Sequence, residues 1–68
     1  MITKTDFTEN QIKLLELLST GHEDTEIAEN LNISHHTVRN WISKLFVAFA
    51  VKTRAHLAAQ AIRENIIK

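Results

Sequence analysis

Residues 26–49 read EIAENLNISHHTVRNWISKLFVAF, and the spacing of their apolar positions decides the fold. Ile27, Ala28 and Leu31 share one face of a helix that starts at about Asp24 or Thr25, with Asp24 as its N-cap and Glu26 in the first turn, where the dipole favours a carboxylate. Asn32 stands where the chain must turn, because Asn tolerates left-handed backbone better than most residues. Ile33 plugs the corner and Ser34 is placed to cap the next helix. In that helix Val38, Ile42, Leu45, Phe46 and Phe49 recur at helical spacing and form an inner face. Arg39, Asn40, Ser43 and Lys44 fall on the opposite face, with His35, His36 and Thr37 at the N-terminal end. The stretch is two amphipathic helices hinged at a tight turn, a helix-turn-helix.

Working outward, the chain has no proline and one glycine, Gly21, and no run alternates at period two long enough for a strand. An all-α, four-helix domain is expected. The first helix begins at Thr8, where Thr8 and Gln11 make a capping box and Phe7 can staple onto Ile12. It carries a wide stripe of leucines and ends at Ser19-Thr20-Gly21, with the glycine suited to a left-handed cap. The last helix starts at Thr53 and runs to about Ile66, with Ala55, Leu57, Ala58 and Ala61 available for close packing. Residues 1–6 are expected to be a flexible N-terminal segment of this single domain.

A chain of 68 residues has room for one modest core. At this size only about 60% of the unfolded surface is buried, so stability is thin or shared with a partner. The apolar fraction of 44% argues against a disordered chain, and the absence of cysteine excludes disulfides and thiolate chemistry. The longest apolar run, residues 45–51, is too short to span a bilayer, and Met1 is not followed by a signal-peptide pattern. A cytoplasmic protein without membrane contact is expected. The formal net charge is zero, but it is strongly polarised. Residues 1–33 hold two lysines against seven carboxylates, a balance of −5, and residues 34–68 hold six cations against Glu64 alone, a balance of +5. The basic half contains the outer face of the third helix, and the local field there, not the total, governs attraction of phosphate.

A helix that reads DNA needs long donors pointing outward near its N-terminus and a rigid apolar underside. Arg39 can pair bidentately with guanine, and Asn40 can read adenine in the same way. Ser34, His36, Thr37, Ser43 and Lys44 are candidate phosphate anchors near the positive end of the helix dipole. Taken alone, Arg39 and Lys44 would be read as a solvated face. The adjacent His35 and His36 point apart on a helix and have no third ligand nearby, so no metal site is expected. Trp41 reads as a half-buried packing residue, and His22 and His56 as surface residues. No nucleophile–base pair, phosphate loop or paired carboxylates stand at a telling spacing, so neither catalysis nor a cofactor is expected. Apolar surface near the C-terminus reads as a dimer face involving Ala59, Ile62, Arg63 and Ile66.

Phe7-Thr8 and Gln11, Leu14-Leu15, Gly21, Glu26-Ile27-Ala28, Leu31, Ile33-Ser34, Thr37-Val38-Arg39, Leu45, Val51, Arg54 and Ala58 together resemble the LuxR-type family, the four-helix domains of the GerE and NarL kind. The resemblance covers about residues 7–67. It implies a transcriptional regulator with its third helix in the major groove of double-stranded DNA, dimerising through the fourth. It places Arg39, Asn40 and Ser43 at base-facing positions, and Thr37, Lys44 and Lys52 near the backbone. Trp41 departs from the family's usual His and Ala48 from its usual Lys; Ala48-Phe49-Ala50-Val51 replaces Lys-Leu-Gly-Val. Glu23 and Asp24 put negative charge in a loop that is often polar or basic. Each departure weakens attraction to the phosphate backbone, so nonspecific DNA should be bound weakly.

The expectation is a homodimer acting on two half-sites about one helical turn apart. With only a short segment before the first helix, a stand-alone regulator controlled by its abundance is expected. The competing expectation is an interaction module that pairs with a full-length LuxR-type regulator through the fourth helix. A more distant one is a sigma-factor-like fragment, which would require RNA polymerase as partner.

Overall fold

The computed structural model describes residues 4–68. A 3-10 turn at Lys4–Asp6 leads into α1 (Glu9–Ser19), α2 (Asp24–Leu31), α3 (His35–Phe49) and α4 (Arg54–Arg63), and the described residues contain no strand. Of the segment expected to be flexible, residues 1–3 lie outside the described residues. The expected all-α, four-helix fold is present. No helix among the described residues is long and apolar enough to cross a membrane.

Helices α1, α3 and α4 each start on a side chain that satisfies an orphan amide. Thr8 Oγ1 accepts from Gln11 N at 3.2 Å while Gln11 Oε1 accepts from Thr8 N at 2.8 Å, the expected capping box. Ser34 Oγ accepts from Thr37 N at 3.1 Å and Thr53 Oγ1 from His56 N at 3.1 Å, as their positions imply. At α2 the expectation is corrected: the N-cap is Glu23, not Asp24. Glu26 Oε1 accepts from Glu23 N at 2.9 Å, which draws the boundary one residue earlier and puts Asp24 at the first helical position.

All four helices end alike. The amides of His22, Ile33, Val51 and Ile66 donate to the carbonyls of Leu17, Ala28, Phe46 and Ala61 at 3.1, 3.0, 3.0 and 2.9 Å. The residue before each of these donors is left-handed: Gly21 at φ 86°, Asn32 at 56°, Ala50 at 57° and Asn65 at 60°. This is the Schellman arrangement, which satisfies the last carbonyls and folds the following residue back toward its helix. It explains why Ile33 is half-buried and Val51 buried. It also corrects the expected end of α4. The helix stops at Arg63, and the turn at Asn65 sends Ile66 and Ile67 inward, so that Ile66 is fully buried.

The core is one cluster fed by every helix: Leu14, Leu15 and Leu18 of α1, Ile27 and Ala28 of α2, Val38, Ile42, Leu45 and Phe49 of α3, Leu57 and Ala61 of α4. Helix α1 packs against α4 and α2, α2 against α3, and α3 against α4. The Phe7 ring stacks on Phe49, with centroids 5.6 Å apart and planes 5° from parallel, and so pins the entry to α1 onto the end of α3. That partner lies far along the chain, where the local staple pattern with Ile12 could not supply it.

Candidate nucleic-acid interface

Helix α3 is held by four buried side chains, Val38, Ile42, Leu45 and Phe49, with Trp41 and Phe46 half-buried beside them. Trp41 is therefore the packing residue its position suggested. With that underside fixed, rotation of the helix is fixed too, and His36, Arg39, Asn40, Ser43 and Lys44 all stand exposed on the opposite side. Asn40 Nδ2 lies 3.2 Å from His36 Nε2, one turn earlier, so the two side chains brace each other along the outer face. The N-terminus of α3 is organised by Ser34 and Thr37, whose hydroxyls are 2.9 Å apart. Because Ser34 Oγ already accepts the Thr37 amide, any phosphate contact there would use a hydroxyl proton or the remaining free amides of the first turn. Lys52 is exposed in the turn between α3 and α4.

Two features of this face were not anticipated. The first is an ionic hub at Asp24. Its Oδ1 lies 2.6 Å from Arg54 Nη1 and its Oδ2 3.8 Å from Arg39 Nε, tying the first turns of α2 and α4 to the second turn of α3. The Arg54 guanidinium, supported by the Arg39 and His35 charges, holds the Asp24 carboxyl below the usual carboxylate range against the opposing effect of burial. One signal for this was in the sequence. An arginine in the first turn of a helix has the wrong sign for the dipole, which suggests that a carboxylate waits nearby. The second feature is Val47, 82% exposed on the stripe it shares with Asn40 and Ser43, at a position that composition alone does not mark.

The proposed dimer residues divide. Ala59, Ile62 and Arg63 are exposed on α4, with Ile62 at 46%. Ala59 and Ile62 border a shallow apolar groove between the end of α1 and α4, lined also by Leu18, Ala55 and Ala58. Ile66 is corrected: at 0% exposure it belongs to the monomer's own core and has no surface to offer a partner.

Residues 5–61 match the family described as "Bacterial regulatory proteins, luxR family". This chain belongs to the luxR family. Among similar proteins, a probable transcriptional regulator, ycf29, of Cyanophora paradoxa is 36% identical over 64 residues, which cover 94% of this chain and 30% of that protein. The transcriptional regulatory protein LnrK of Bacillus subtilis (strain 168) is 36% identical over 61 residues, covering 90% of this chain and 28% of that one. This luxR-family chain thus spans under a third of the length of either relative. No solved structure matches it.

Proposed function

We propose that this luxR-family domain binds double-stranded DNA as part of a transcriptional regulator, laying α3 in the major groove. The observation that carries the reading is the outer face of α3, where five polar side chains stand exposed on a helix whose other face is locked into the core. Arg39 and Asn40 are the proposed base readers, with Ser43 beside them; Ser34, His36, Thr37, Lys44 and Lys52 serve the backbone. A second copy docks through Ala59, Ile62 and Arg63 of α4, placing two α3 helices on half-sites about one turn of DNA apart.

A second reading is favoured by the apolar groove beside Ile62 and by the zero net charge: a module that pairs with another luxR-type regulator and does not itself hold DNA. Fluorescence anisotropy of a labelled mixed-sequence duplex, titrated at several salt concentrations, separates the two. DNA binding predicts affinity that falls with salt on a log–log slope of several units, about 0.9 per phosphate engaged. Absence of binding at low salt, with a biological activity that survives Arg39→Ala and is lost in Ile62→Glu, would establish the second reading instead.

A further inference from the structure

Asp24 sits where α2, α3 and α4 converge, on the same side of the molecule as the outer face of α3. The two arginines beside it are not held alike. Arg54 Nη1 is in close contact at 2.6 Å, whereas Arg39 Nε is at 3.8 Å and the Arg39 side chain is 74% exposed. The Asp24 side chain is 19% exposed, and its Oδ1 is closed to solvent against Arg54. Arg54 therefore anchors the anion, and the anchored anion faces the one arginine on the outer face of α3. A fixed negative charge with an exposed cation beside it is a tether. The same charge stands on a surface that would otherwise attract phosphate without regard to sequence.

What releases Arg39 depends on what the competitor offers. A phosphate is an anion and takes two guanidinium hydrogens in the same fork, so it competes directly with Asp24 for Arg39. The O6 and N7 acceptors of guanine also take two guanidinium hydrogens in a fixed plane, and Asp24, 3.8 Å from Arg39 Nε, offers neither match. We propose that Asp24 tempers DNA binding: its carboxylate, anchored by Arg54, competes with DNA for Arg39. The inference rests on the DNA-binding reading above. Asp24 is a positioning residue here, since it acts through Arg39 and not on DNA directly.

The test is a double-mutant cycle. Wild type, Asp24→Asn, Arg39→Ala and the double variant are titrated into one labelled mixed-sequence duplex over a salt series, with melting curves for each. Asp24→Asn should bind at least about fivefold more tightly at low salt, with a log–log slope steeper by about 0.9, the increment for one more phosphate. Arg39→Ala should remove most of that gain, so it should cost more affinity in the Asp24→Asn background than in wild type. A merely structural role would lower the melting temperature and leave the cycle additive. Should Asp24→Asn melt below the titration temperature, Asp24→Ser carries the same charge removal and the same expectation. A gain that persists without Arg39 overturns the tether, as does unchanged or weaker binding by folded Asp24→Asn. If wild type binds while the cycle is additive, only this inference fails; if wild type binds nothing at low salt, the DNA reading fails and takes this inference with it.

Discussion

Ala50 should be the most improvable position in the domain. It occupies the left-handed turn that ends α3, at φ 57°, a conformation in which Cβ crowds the following carbonyl oxygen. That crowding costs about 1–2 kcal/mol for an L-residue relative to glycine. Replacing alanine by glycine also frees the unfolded chain, which returns about 0.4–1 kcal/mol in the other direction. Because Ala50 is exposed, its methyl group contributes little packing to set against the change. The balance for Ala50→Gly is a gain of roughly 1 kcal/mol, equivalent to about 4–8 °C in melting temperature for a domain of this size. Gly21 is the control with the opposite sign: it stands at φ 86°, and a Cβ added there would meet nothing within 4 Å. Gly21→Ala should therefore lose about the same amount through backbone strain alone. Asn32→Gly, at φ 56°, should gain less than Ala50→Gly, because Asn already tolerates this region. Thermal unfolding followed by circular dichroism, confirmed by urea midpoints at constant slope, reads all three. Equal shifts for Ala50→Gly and Asn32→Gly, or a loss in Ala50→Gly, would refute the argument.

Three further outcomes follow from the same structure. Leu57→Ala, at a fully buried site on α4, should cost about 2–5 kcal/mol and leave little folded protein at 37 °C; a change under 1 kcal/mol in urea unfolding would place α4 outside the cooperative core. Ile62→Glu should keep the monomer's melting temperature within a few degrees and weaken self-association and DNA affinity together, whereas Ile66→Glu should unfold the chain; sedimentation and melting curves that rank them the other way would reject the division of the α4 surface. Asp24 has its folded pKa depressed, chiefly by Arg54, so its contribution to stability is complete above the unfolded pKa and is lost as pH falls below about 4. Asp24→Asn should accordingly flatten the acid limb of a stability–pH profile, and identical limbs in the two proteins would count against the ion pair.

Most of the fold was legible because it is written in local periodicity. Thr8, Ser34 and Thr53 cap helices where their neighbours say they should, and the apolar spacing of α3 separates buried from exposed residues correctly along its length. The misreadings share a cause. Ile62 and Ile66 are one turn apart in a helical pattern, and apolar residues at that spacing look like a continuous outer stripe. Only the left-handed backbone at Asn65 reverses the direction of the chain and turns Ile66 into the core while Ile62 stays outside. The same motif at Ala50 is marked only by the resemblance, which puts glycine at that position; alanine itself carries no mark of left-handed backbone, and its neighbours read as continued helix.

The candidate site was legible one helix at a time. The outer face of α3 needs no tertiary information, because the buried positions of the same helix define it. The hub at Asp24 does need it, since its three side chains come from three helices and meet only when α2, α3 and α4 are packed together. Charge counting gives the wrong expectation for this reason. From sequence, Asp24 belongs to the acidic half and Arg39 and Arg54 to the basic half, so their charges appear segregated; in the fold they are adjacent. Proximity to Asp24 also separates the cations of the basic half. Arg54 is committed to the structure, Arg39 is held but releasable, and Lys44 and Lys52 stand exposed with no ion pair to either carboxylate oxygen of Asp24. A domain arranged in this way approaches DNA with fewer free cations than its sequence holds, which favours discrimination between sequences over tight binding to all of them.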